Sequence, residues 1–291
     1  MPNNIVLAKN YVTLLDEVYK NSAVTADLIA APELVRAGHT AKSVLYPMIS
    51  VKGLGDYDRN SGYTDGSVNV SWEEITFNYD RGTKISVDAM DNQESFDIAF
   101  GRAGAELVRT KVVPEGDAYT FATIAGVDGI SKVSSGETYS DGVDFMLAVS
   151  DAQKKMDEDE VPYENRILYA TPTLLRLVDE LDTTKSKKVL DGFSKVVKVP
   201  QSRFYTQISL LDGKATEELD GGYKKAEGAN DINFMIVHKP AIVKIDKHTV
   251  SDIINPSANP NADSYILKYR KYGVVDVVKN KKAGIYLSYK A

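Results

Sequence analysis

The spacing closest to a metal site is Asp56-Tyr57-Asp58-Arg59-Asn60, whose Asp-x-Asp-x-Asn order matches the first three oxygen ligands of a calcium loop. The match stops there. Ser61 stands where such a loop needs its sharp-turn glycine, and Ser67 where it needs a bidentate glutamate. The segment reads better as the tip of a projecting arm, where Asp, Asn, Ser and Gly make turns and Tyr57, Arg59 and Tyr63 offer anchors to a partner. The run Asp157-Glu158-Asp159-Glu160 reads as a solvated acidic turn after a helix. His39, His238 and His248 are scattered, with no second ligand one helical turn away. Gly53-Leu54-Gly55 lacks the third glycine of a dinucleotide fingerprint, and neither a phosphate loop nor a G-x-S-x-G elbow occurs. Without cysteine there is no thiolate ligand, thiol nucleophile or disulfide. The expectation is a non-enzyme with no metal and no cofactor.

Composition describes a sizeable globular chain. Its 291 residues, 43% of them apolar, can bury one large or two moderate cores. No run of eighteen apolar residues appears, and Met1-Pro2-Asn3-Asn4 has no signal-peptide character, so cytoplasmic synthesis is expected. The 35 basic and 41 acidic residues give a net charge of −6, the wrong sign for a protein that grips nucleic acid directly. Charge is uneven: Glu137 to Asp182 holds twelve acidic and four basic residues, Asp263 to Ala291 seven basic and two acidic. Such asymmetry suits either complementary neighbours or two solvated faces.

The elements that would carry these residues follow from periodicity. Val68, Val70 and Trp72 alternate, the phase shifts at Glu73-Glu74, and Ile75, Phe77 and Tyr79 resume it, which predicts a bulged strand. Asp80-Arg81-Gly82-Thr83 has turn composition, and Ile85, Val87 and Ala89 alternate after it, so a hairpin is expected there. Phe96, Phe100, Ala103 and Leu107 then fall at helical spacing behind an Asp91 or Asn92 cap. Pro114 predicts either one kinked helix or two nearly in line, reaching Ala125. An N-terminal amphipathic helix is expected through Ala8, Leu15 and Val18. Gly126 to Gly142 reads as a connection. A compact α+β lobe follows: a helix through Phe145, Val149, Ala152 and Met156, a strand at Arg166 to Ala170, and a helix behind Thr171-Pro172 with Leu174, Leu177, Val178 and Leu181 inward. Strands are expected at 196–199, 204–211 and 234–237, and late strands at 264–278 and 285–289.

Trp72 to Gly82, Ile85 to Asp91, Val237 to Val243 and the Asn255-Pro256 and Asn259-Pro260 loop together resemble the major capsid proteins of tailed bacteriophages, with the Hong Kong 97-type shell fold. The resemblance rests on element order from about Thr40 onward. It implies an α+β fold with an N-terminal arm (1–40), an extended β-hairpin E-loop (41–91), the first part of a peripheral domain with a long spine helix (92–141), an axial domain (142–240) and late strands returning to the peripheral domain (241–291). It implies self-assembly through hexamers and pentamers into an icosahedral head around double-stranded DNA, inside a virion, with scaffolding, portal and head-completion proteins as partners. Asp56, Tyr57, Arg59, Tyr63, Trp72 and Arg81 are the expected assembly residues. Some relatives crosslink lysine to asparagine; Lys52 and Asn255 or Asn259 lie in roughly suitable regions, but no motif fixes them and no crosslink is expected. Two alternatives stand beside this reading: an encapsulin-type bacterial nanocompartment shell, and an α+β metal-dependent or hydrolytic enzyme.

Overall fold

The structure, a computed structural model, describes residues 23–29, 36–37, 42–60, 62–94, 104–133, 135–181 and 184–290. The expected N-terminal helix, His39, and Phe96, Phe100 and Ala103 of the spine stripe lie outside these residues. Strands in chain order are β1 (Arg36–Ala37), β2 (Ser43–Val51), β3 (Val68–Thr76), β4 (Tyr79–Asp88), β5 (Ser131–Lys132), β6 (Arg166–Ala170) and β7 (Lys195–Lys198). There follow β8 (Ile208–Leu210), β9 (Tyr223–Lys225), β10 (Ile232–His238), β11 (Ile242–Ile254), β12 (Ser264–Val277) and β13 (Ile285–Tyr289). The helices are α1 (Ala89–Glu94), α2 (Val113–Gly126), α3 (Gly142–Glu158), α4 (Pro172–Asp179) and α5 (Thr184–Asp191).

Strand β10 organises the larger core. It is buried at every position, as a strand covered on both faces must be, and it sits in the middle of the sheet β5-β13-β10-β6-β7. Met235 and Val237 meet Phe121 and Ile124 of α2 on one face. On the other, Phe234 and Ile236 meet Phe145, Val149 and Met156 of α3 and Leu174, Leu175 and Val178 of α4. Ile232 would share the Phe234 side by strict alternation, yet it packs with Met235, because the register against β13 shifts between Ile232 and Phe234. Helix α3 is capped as its sequence asks, with the Asp141 carboxylate accepting the Val143 N–H at 3.2 Å. Thr171 holds the cap position of α4 but its hydroxyl makes no capping bond; Leu174 and Val178 are buried and Leu177 and Leu181 pack partly buried against the same core, with Leu175 buried beside them.

The second sheet, β11-β12-β4, corrects the hairpin reading. Asp80 to Thr83 is strand interior, paired with Tyr269 to Tyr272 of β12. Gly82 serves close approach, since a Cβ there would lie 2.9 Å from the Tyr269 carbonyl oxygen. The arm hairpin is β2 with β3, in unbroken register from Ser43↔Thr76 to Val51↔Val68, so there is no bulge at Glu73-Glu74. Helix α1 starts earlier than expected, and the Asp88 carboxylate accepts the Met90 N–H at 2.9 Å in place of a cap at Asp91 or Asn92. Helical residues 104–107 run through a π turn (Val108–Val112) into α2, which puts Pro114 in the first turn of α2, where a missing N–H costs least. The last strand also differs from expectation: β13 joins the five-stranded sheet, because Ile285 and Leu287 on one side and Tyr286 on the other both need cover. Of 204–211 only β8 forms, paired with β9.

A buried polar cluster fixes residues 24–28 to the body. Asp117 of α2 accepts the N–H groups of Val24 (3.2 Å) and Thr25 (3.1 Å), the Thr25 hydroxyl (2.6 Å) and Arg203 Nη1 (3.0 Å). Lys244 of β11 donates to Thr25 Oγ1 at 2.5 Å. Lys244 is fully buried, and desolvation, with Lys271 nearby, pushes its pKa down to about 8 from 10.5. Between these two values the unfolded chain holds a proton that the folded chain does not. Stability should therefore rise with pH by about 2 kcal/mol between pH 8 and 10 from this group. Above pH 10 the trend reverses, because the buried phenols of Tyr79 and Tyr169 resist ionisation that the unfolded chain undergoes. Urea denaturation at pH 7.5 and 9.5 checks this: Lys244→Met should lack the rise, and an equal rise in both proteins would refute the assignment.

Candidate assembly surface

The β2–β3 ribbon changes its apolar face along its length. Residues directly opposite in an antiparallel pair share a face, so Val44, Tyr46, Met48 and Ile75 point one way and Pro47, Ile49, Val51, Val68, Val70 and Trp72 the other. The first set packs at the ribbon's base against Val243 and Val274 of β11 and β12. Most of the second set is exposed: Val51 is 68%, Val68 66%, Ile49 63% and Val70 52% exposed. The phase shift at Glu73-Glu74 is thus a change of apolar face on a regular strand. Both glutamates are held there, Glu73 by the Tyr46 hydroxyl (2.5 Å) and by Lys279, Glu74 by the Ser43 hydroxyl.

The tip carries the acidic spacing. Asp58 pairs with Gly62, which sits at φ +81°, and its carboxylate accepts the Asn60 N–H at 2.6 Å. Tyr57 and Tyr63 meet edge to face with centroids 4.9 Å apart and are exposed, as are Leu54, Asp56 and Arg59. These residues are brought together with Trp72 on one projecting ribbon. Arg81 is not. It lies in β4, its guanidinium on Glu115 of α2 (Nε to Oε1 2.8 Å) and on the Gly222 carbonyl (3.1 Å), because residues 80–83 form no turn. Sequence reasoning missed Ile49, Val51, Val68 and Val70 as a set. Their signal was a β2 apolar at almost every position, facing a β3 that alternates.

The other candidate chemistries have local explanations. In the acidic run, Asp157 pairs with the buried Arg166 (2.7 Å) and Asp159 with Lys155 (2.9 Å). His238 ends β10 in a buried position where desolvation lowers its pKa, and His248 faces Tyr272 across β11–β12. Among the described residues no three His, Cys, Asp or Glu side chains gather at metal-binding distance. Lys52 Nζ donates to the Asp65 carbonyl (3.1 Å), and Asn259 Nδ2 to Ser264 Oγ (2.9 Å).

No protein-family model matches the chain, and no curated protein matches it. Solved structures do. The chain aligns with a structure from Mycobacterium phage Che8 at TM-score 0.60 and 12% identity, covering 91% of this chain and 90% of that one. It aligns with the capsid structure of cyanophage P-SCSP1u at TM-score 0.58 and 14% identity, covering 88% and 85%. This is the Hong Kong 97-type capsid fold. A virus-like particle from Pyrococcus furiosus shares it, at TM-score 0.57 and 10% identity over 96% and 98% of the two chains. Within this Hong Kong 97-type fold the projecting ribbon is β2–β3, and β4 belongs to the body beneath it.

Proposed function

We propose that this protein is a major capsid protein that self-assembles through hexamers and pentamers into an icosahedral phage head enclosing double-stranded DNA. One observation carries the reading: a Hong Kong 97-type fold holds out a two-stranded ribbon whose outer face is apolar and uncovered. An isolated hairpin with such a face is marginal in water and gains stability when a neighbour covers it. Ile49, Val70, Trp72, Tyr57 and Tyr63, with Asp56 and Arg59 at the rim, are the contacts proposed to lie over an adjacent subunit. Each subunit would meet several neighbours, so modest interfaces sum to a stable closed shell. The two lobes follow the same reading, with 142–240 as axial domain and the α2 helix with β11, β12 and β4 as peripheral domain. Scaffolding, portal and head-completion proteins are the partners this role requires, and the virion is its place. The role is structural and non-enzymatic.

The likeness to a virus-like particle leaves room for a second reading, a nanocompartment shell with protein cargo in place of a genome. Electron microscopy of the purified protein after size-exclusion chromatography tests both. Closed shells, or hexamers and pentamers that close with a scaffold, are expected. DNA that resists nuclease until the shell is opened supports the phage head and co-purifying enzymes the nanocompartment; a persistent small oligomer overturns both.

A further inference from the structure

We propose that the cleft between the π turn before α2, the segment 202–205 and β9 binds the phosphodiester backbone of nucleic acid, which deepens the shell reading by naming a point where the wall meets its contents. The cleft has a volume of about 440 Å³ and is lined by Lys111, Arg203, Lys224 and Lys225 with no acidic side chain, in a chain whose net charge is −6. Two of the four cations are already engaged. Arg203 pairs with Asp117 at 3.0 Å, and Lys225 with Asp231 at 2.8 Å, its ammonium 5.6 Å from the centre of the Tyr205 ring. Lys111, on the π turn, and Lys224, on β9, have no ion pair among the described residues, and both are exposed.

The one arginine here is turned inward to Asp117, so its guanidinium fork is not offered to the cleft. What faces the cleft is ammonium groups on flexible stems, which act as point charges toward phosphate oxygens. Lys111 and Lys224 come from two separate elements and the cleft is open, so a linear polyanion can lie between them. Tyr223 adds a ring to the lining, its hydroxyl spent on the Ser202 carbonyl at 2.7 Å, which leaves the aromatic surface for contact with a sugar or base.

The test is fluorescence anisotropy of a labelled duplex of about 20 base pairs against the full-length protein across a salt series, because each phosphate contact contributes a slope of about 0.9 in log K against log salt. The Lys111→Glu/Lys224→Glu variant is expected to bind at least tenfold more weakly, with the slope reduced by about 2. Lys84→Glu/Lys268→Glu, which reverses the same number of charges at exposed, directly paired positions of β4 and β12, is the control and should change affinity less than twofold. Equal loss in the control, or none in the cleft variant, overturns the site. Displacement by inorganic phosphate at millimolar concentration, or by polyglutamate as readily as by unlabelled duplex, overturns the assignment to a polynucleotide and points to a small anion or to carboxylates of another chain. Thermal melting confirms that both variants fold, and electron microscopy of each shows whether shells form, so failure of this site and failure of the capsid reading give different results.

Discussion

Asp117→Ala is expected to destabilise the subunit by about 3–5 kcal/mol, the scale for removing one partner of a buried ion pair. Asp117 is 1% exposed and accepts four hydrogen bonds, from Val24, Thr25 twice and Arg203. Its loss leaves Arg203 with no carboxylate and the buried Lys244 with one fewer compensating charge. Against a total stability of about 5–15 kcal/mol, that removes much of the folded population at 37 °C. Asp117→Asn retains one acceptor oxygen and should fall between the two. Urea denaturation measures it, and a loss below about 1 kcal/mol would show that Asp117 is not the tie for residues 24–28.

The second large effect is on assembly. Ile49 and Val70 face each other across the ribbon on its uncovered side. Replacing both with aspartate should leave the melting temperature nearly unchanged, because neither is buried in the subunit, and should abolish shells. Each buried aliphatic side chain contributes about 1.5–3 kcal/mol to an interface, and an unpaired buried carboxylate adds a further penalty. A closed particle repeats the loss at every subunit. Normal shells from the double variant would remove the ribbon face from the assembly surface.

How much of this was legible depended on where each residue's partner lay. Helix α3, β6 and α4 were readable because their periodicity, caps and Pro172 are local signals. Residues 80–83 were not. Their composition is that of a turn, but Asp80 answers Arg270 across 190 positions (2.9 Å), Arg81 answers Glu115, and Gly82 answers a backbone on β12. Asp56, Tyr57, Arg59, Tyr63 and Trp72 fell on one ribbon as the sequence suggested, while the apolar pairs beside them needed the register of β2 against β3 to appear as a surface. The Asp117 cluster gave one faint sign: Glu115 and Asp117 are two acids on a helix otherwise rich in buried residues.

The placement of β13 has a consequence for timing. Residues 285–289 are inserted between β10 and β5, so the sheet that joins α2 to α3 stays open until that late stretch of polypeptide has left the ribosome. The ribbon's own seat, on Val243 of β11 and Val274 of β12, is made only shortly before β13, so β2–β3 waits through most of synthesis for the surface on which its base rests. Core and ribbon seat are thus completed nearly together, after most of the described residues have been made.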